Sequence, residues 1–199
     1  MDKISKLDYK VIYDIVKEGA SVLDLGCGDG ELLSHLVKGK NIKAQGVELD
    51  DESIYKCVEK GLSVFHSDID SGLRGYPDKS VDYVILNQSM QETKNADFVI
   101  KEALRVGHKV IVGFPNFAFF NSRFQIFFGG RTPVTPSLPY RWYNTPNLHF
   151  LSLTDFIRYC SENKITILER YYLGRRKLLK LFPNLFALNA IFLLTKPPL

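Results

Sequence analysis

The stretch Val22-Leu23-Asp24-Leu25-Gly26-Cys27-Gly28-Asp29-Gly30 constrains the fold of this chain more than any other. An apolar run carrying Asp24 enters three glycines at alternate positions, and a helical pattern from Glu31 to Val37 follows at once. Glycine lacks a Cβ, so it accepts tight turns and lets a ligand lie against bare main chain. A strand, glycine turn and helix in this order belong at the first strand of an open α/β sheet. Such sheets place their ligand crevice beyond the carboxyl ends of the strands.

The elements downstream agree. Apolar spacing predicts a leading helix through Leu7, Val11, Ile12, Ile15 and Val16, then strand 21–25, helix 30–38, strand 42–47, helix 51–60 and strand 62–66. Strand 81–86, helix 95–105 and strand 109–113 continue the rhythm, and helix 152–163 with strands near 166–172 and 190–195 completes it. Alternation of this kind implies parallel strands with helices on both faces. At 199 residues the chain is expected to form one domain, 1–199, with 114–150 as a long insertion rich in aromatics and proline. An aperiodic segment of that length is more often functional than filler. Phe117, Phe119, Phe120, Phe124, Phe127 and Phe128 within it recur near helical spacing and read as a core face first, or else as an apolar docking surface.

Charge narrows the ligand. A dinucleotide fingerprint, G-x-G-x-x-G, holds a pyrophosphate on backbone N–H groups. Here the pattern is G-x-G-x-G, flanked by Asp24, Asp29 and Glu31. Carboxylates a few Å from a phosphate repel it by roughly 1–4 kcal/mol at effective dielectrics of 20–80. A nucleoside with a cationic amino-acid tail is favoured instead, and S-adenosylmethionine, or its demethylated product S-adenosylhomocysteine, has that chemistry. Glu48, with Leu49 beside it, ends the second strand about 20 residues past the turn, where a carboxylate can accept both ribose hydroxyls. Asp68 ends the third strand and can accept from an adenine amino group while Ile69 packs on the base. The candidate cofactor contacts are therefore Asp24, Gly26, Cys27, Gly28, Gly30, Glu48, Leu49, Asp68 and Ile69, with Asn87 at the end of the fourth strand.

Composition excludes several classes. A net charge of +4 without a separate basic domain argues against nucleic acid, and Arg175, Arg176, Lys177 and Lys180 read as a solvated loop. Three cysteines, Cys27, Cys57 and Cys160, have no metal-ligand spacing and an odd count, which suits a reducing cytoplasm and no metal site. Residues 1–14 lack the apolar core of a signal peptide. The apolar stretch 178–194 is interrupted by Lys180, Pro183, Asn184 and Asn189, so it is expected to be core strand and not a membrane span.

The whole constellation resembles the class I S-adenosylmethionine-dependent methyltransferases. The run from Val22 to Leu33 further resembles the signature of the methionine biosynthesis protein MetW family. So do Gly46-Val47-Glu48, Leu104-Arg105-Val106-Gly107, Phe114-Pro115-Asn116-Phe117 and Leu138-Pro139-Tyr140-x-Trp142-Tyr143-Asn144-Thr145-Pro146-Asn147-x-His149. These blocks span about residues 6 to 195. The resemblance implies a Rossmann-like, seven-stranded, mostly parallel sheet whose last strand is antiparallel. It also implies a role in methionine biosynthesis beside a homoserine O-acyltransferase, the MetX partner. Asn87–Glu92 departs from the Ser/Thr-richer run usual there, which bears on substrate or partner contacts rather than on the glycine turn.

Two functions follow as expectations: a partner or regulator of the acyltransferase that binds the adenosyl compound, or a small-molecule methyltransferase. For either, Gln88, Gln91, Arg123, Trp142, Tyr143 and His149 are the candidate substrate or partner contacts. His149 reads as a hydrogen-bonded structural histidine or as a general base. Trp142 and Tyr143 read equally as a partner hot spot or as loop packing. No Asp-Pro-Pro-Tyr or Asn-Pro-Pro-Tyr motif follows the fourth strand, so no catalytic residue is assigned.

Overall fold

A computed structural model describes residues 3–196, and the side chains from residue 7 onward. Helix α1 (Lys3–Ile15) leads into β1 (Ser21–Leu25), α2 (Glu31–Lys40), β2 (Lys43–Glu48), α3 (Asp51–Glu59) and β3 (Ser63–His66). Then come β4 (Val81–Asn87), α4 (Ala96–Val106), β5 (Gly107–Pro115), α5 (Phe120–Gly129), α6 (Leu153–Glu162), β6 (Thr166–Leu173), α7 (Pro183–Phe186) and β7 (Asn189–Thr195). The seven strands form one sheet in the order β3-β2-β1-β4-β5-β7-β6. The first five strands pair in parallel, and β7 inserts antiparallel between β5 and β6. This is the expected mostly parallel sheet with its last strand reversed.

Both faces of the sheet are covered, because side chains alternate along each strand. Leu23, Val84, Val112 and Phe192 pack under α4 and α6, where Phe114 stacks on Phe156 and Phe192 at centroid distances of 4.8 and 5.7 Å. Val22, Tyr83, Ile85, Ile111 and Ile191 face the other way, under α1 and α2. Helix starts follow local chemistry. Asp50 caps α3 by accepting from Ser53 N at 2.8 Å, and Ser152 and Asp155 form a capping box at α6. Arg105 clamps a loop: its guanidinium donates to the carbonyls of Leu73 and Tyr76, both at 2.9 Å, and pairs with Glu102 and Asp78.

Two expectations for the second half are corrected. The phenylalanine row is helical only from Phe120 onward, in α5, and it is not a core face. Only Phe119 is buried, whereas Phe120, Phe124, Phe127 and Phe128 are exposed, Phe127 to 81%. Among the described residues no layer covers its apolar stripe. Likewise, 178–194 is not continuous core strand. Leu181, Phe182 and Phe186 are exposed, and the chain enters the core only from Ala187 onward. Arg175, Arg176, Lys177 and Lys180 lie in an exposed loop, as expected.

Candidate functional site

The sheet's parallel half ends in a cleft of about 750 Å³ at its carboxyl edge. That volume lies within the usual range for small-molecule sites. The glycine turn forms one wall. Gly26, Gly28 and Gly30 all have positive φ, at 73°, 54° and 73°. They serve different ends. A Cβ on Gly26 would stand 2.6 Å from Ser89 Cβ, and one on Gly30 would meet Leu62 and Cys57 at 2.5 and 2.7 Å. A Cβ on Gly28 would meet nothing within 4 Å. Gly28 thus presents bare main chain to the cleft, while the other two glycines permit close packing.

The opposite walls come from strand ends. Glu48 ends β2, and both its oxygens are engaged by main chain: Oε2 accepts from Gly28 N at 2.7 Å, and Oε1 from Leu49 N at 2.8 Å and Asp50 N at 3.1 Å. A carboxylate offers about four lone-pair sites. One therefore remains, and the expected grip on both ribose hydroxyls requires Gly28 N–H to let go. Asp68, after β3, uses Oδ1 to cap a short 3-10 turn through Asp70 N at 2.9 Å and keeps Oδ2 free. Asp70 fixes the far lip by accepting from Lys94 N and Asn95 N at 2.8 and 3.0 Å.

The lining is strongly acidic. Glu48, Asp50, Asp68, Asp70 and Glu92 face a single lysine, Lys94. Burial, and then the charge of Glu48, push the Glu92 carboxyl above its ordinary range. An anionic ligand would meet this field unfavourably, and a cationic one would be held by it.

Of the residues expected to contact a cofactor, Gly26, Gly28, Glu48, Leu49, Asp68 and Ile69 line the cleft together. Asp24, Cys27, Gly30 and Asn87 do not. Asp24 points to the α1 side of β1, is buried, and has its carboxyl pushed up to about 7 by desolvation and by Glu48. Cys27 is buried against β2, where the Cβ position of Gly46 lies 2.5 Å from its sulfur. Asn87 turns toward Gly113 under α1. Of the substrate candidates only Gln88 reaches the cleft. Gln91 is buried and donates to Gln88 O at 2.7 Å. Arg123, on α5, is tied to Ala118 O just before the helix, and Trp142 and Tyr143 are exposed, packed edge to face at 5.6 Å. The hydrogen bond expected of the His149 side chain is not there: Nε2 is buried with no partner among the described residues.

Sequence reasoning missed Ser89, Glu92, Thr93 and Leu148 as lining residues. Leu148 arrives because the main-chain N–H groups of Leu148 and His149 both donate to Gln91 O, at 2.8 and 3.0 Å. Nothing local to the proline-rich segment signals that long-range bond.

A family model described as methionine biosynthesis protein MetW matches residues 6–194. The chain belongs to that family. It is 37% identical over 158 residues to the bifunctional methionine biosynthesis protein MetXA/MetW of Rhodopirellula baltica. That match covers 75% of this chain and 25% of the relative, so the chain spans about a quarter of the relative's length. Among solved structures, a SAM-dependent methyltransferase of Thermotoga maritima superposes with a TM-score of 0.69 at 17% identity, covering 98% of this chain and 90% of that one. The [4+2]-cyclase SpnF superposes at 0.67 with 16% identity, covering 97% and 82%. Likeness at such identity speaks for the fold alone, and a cyclase on the same fold shows why chemistry has to be argued from the site. This MetW-family chain is thus a methionine-biosynthesis-associated protein with a methyltransferase-like fold. No helix among its described residues is long and apolar enough to cross a membrane.

Proposed function

We propose that the cleft binds S-adenosylmethionine or S-adenosylhomocysteine, and that the chain acts in methionine biosynthesis as a partner of a homoserine O-acyltransferase. The acidic lining around the bare main chain of Gly28 carries the ligand half of this reading. It suits an adenosine compound with a positive tail and no phosphate. Glu48 and Asp68 supply acceptors for ribose and adenine, and Ile69 supplies an apolar wall. When bound, the sulfonium compound would supply a transferable methyl group.

The partner half rests on two observations. The Rhodopirellula relative carries MetXA and MetW in one name, and α5 presents Phe120, Phe124, Phe127 and Phe128 to solvent. Exposed aromatic patches of this kind mark association surfaces. A ligand that favours one state of the complex would regulate it. Calorimetric titration with S-adenosylmethionine, S-adenosylhomocysteine and NAD tests the first half, with heat expected from the first two only. Co-purification with the acyltransferase tests the second. Complex formation should disappear in the double variant Phe124→Glu/Phe127→Glu, while adenosyl binding persists. Equal affinity for NAD would remove the ligand reading, and a complex indifferent to both substitutions would remove the α5 surface.

The second reading, methyl transfer to a small acceptor, is favoured by the polar atoms gathered at Asn87 and Gln88 beside the cleft.

A further inference from the structure

On the sheet face covered by α1, the carboxyl-edge residues change from apolar to polar. Asn87 follows Tyr83 and Ile85 on β4, and Asn189 comes just before Ile191 and Leu193 on β7. Between them on β5 lies Gly113, opposite Asn87 on one side and Ile191 on the other. Asp8 reaches down to them from α1. Asp8 and Asn189 are only 2% and 4% exposed. Asp8 Oδ2 accepts from Asn189 Nδ2 at 3.3 Å and from Gln88 Nε2 at 3.4 Å, both long bonds.

Three buried oxygens here have no partner among the described residues: Asp8 Oδ1, Asn87 Oδ1 and Asn189 Oδ1. The two amide oxygens are acceptors, and Asp8 Oδ1 is one as well whenever its carboxyl is ionised. Each such group costs about 1–3 kcal/mol if left unmet, and native interiors hold few of them. The backbone makes room for one: a Cβ on Gly113 would stand 2.3 Å from Asn87 Oδ1. A primary ammonium has three N–H donors, no acceptor and a positive charge. Its donors equal in number the three orphan oxygens, and its charge is opposite to that of the ionised Asp8 carboxylate. A water molecule supplies only two donors and no charge.

Gln88 joins this compartment to the cleft. Its backbone is left-handed, with φ at 62°, it lines the cleft, and its amide is one of the two groups on Asp8. We propose that the compartment of Asp8, Asn87 and Asn189, gated by Gln88, receives the primary ammonium group of a small molecule that reaches it through the cleft. This rests on the cleft being a ligand site. The ammonium belongs either to the amino-acid tail of the adenosyl compound or to a separate amine held beside it.

Calorimetry on the full chain separates these sources. The probes are S-adenosylmethionine, 5′-methylthioadenosine (the same nucleoside without the amino-acid tail), and the amines L-homoserine and n-butylamine. The amines are titrated with and without saturating S-adenosylhomocysteine. Asp8→Asn keeps the shape and removes the charge, and Asn87→Ser removes a second acceptor; circular dichroism confirms that each is folded. If the tail supplies the ammonium, both variants weaken S-adenosylmethionine by about tenfold or more and leave 5′-methylthioadenosine unchanged. If a separate amine does, both nucleosides bind as in the wild type, and amine binding is lost in the variants. The proposal is overturned if the variants bind S-adenosylmethionine and both amines like the wild type, or if they lose 5′-methylthioadenosine equally. Wild-type protein that ignores every adenosyl compound would defeat the cofactor reading instead, and the amine titrations would still decide the compartment.

Discussion

Gly28 and Gly30 differ by two positions and by what surrounds them. Both are left-handed, so alanine at either costs about 1 kcal/mol in backbone strain. At Gly28 the added methyl enters open cleft, so Gly28→Ala is expected to fold and to lose about tenfold or more in adenosyl affinity. At Gly30 it would strike Leu62 and Cys57, so Gly30→Ala should lose about 2–4 kcal/mol of stability, read by urea denaturation. Asp8 makes a pH-dependent prediction. Burial pushes its carboxyl from 3.8 to about 7, against the smaller opposing effect of bonds from Asn189 and Gln88. Between these two values the folded chain keeps a proton that the unfolded chain has released. Stability therefore falls as pH rises through that window and levels off above about 7. Asp8→Asn removes this cost, so the variant should gain about 1–3 kcal/mol over wild type at about pH 8 and almost nothing at about pH 4. A gain independent of pH would count against burial as its cause.

Among the elements, α5 and α6 make opposite demands on their surroundings. Helix α6 is capped at Ser152 and buries Leu153, Phe156 and Cys160 against the sheet. Ser152→Ala should cost about 1 kcal/mol and lower the melting temperature. Helix α5 ends on Gly130, left-handed at φ 56°, and leaves its phenylalanine stripe in solvent. Phe127→Ser is thus expected to change stability by no more than about 0.5 kcal/mol. A large loss in denaturant melts would mean that the stripe is covered within this chain. Spacing at i, i+4, i+7 and i+8 reports that an apolar face exists; whether that face meets the chain's own sheet or another molecule is not written in the spacing.

Across the whole molecule, the acidic cleft and the aromatic α5 surface are separate features, which is what a ligand-responsive partner needs. Trp142 is the chain's one tryptophan and is 74% exposed. Its fluorescence should be solvent-like and readily quenched by acrylamide in the free chain. Adenosyl ligands should leave the emission where it is, since Trp142 is not in the cleft lining. A blue shift on adding the acyltransferase would place the loop at the contact, and no shift would place it outside.

The strand, glycine turn and helix, the parallel order and the acidic character of the cleft were all readable along the chain. They arise from period-2 and period-3.6 patterns, glycine chemistry and charge, each acting over a few residues. Glu48 and Asp68 were legible for the same reason, because strand ends converge at one edge of a parallel sheet. What the chain alone left undecided is which face each polar residue turns to, and what covers it. Asp24 and Asn87 sit on the α1 side of their strands and miss the cleft. Asp8 meets Asn189 across 181 positions. Leu148 reaches the cleft through Gln91. Contacts of this kind depend on how layers pack after the elements exist, so only the tertiary structure settles them.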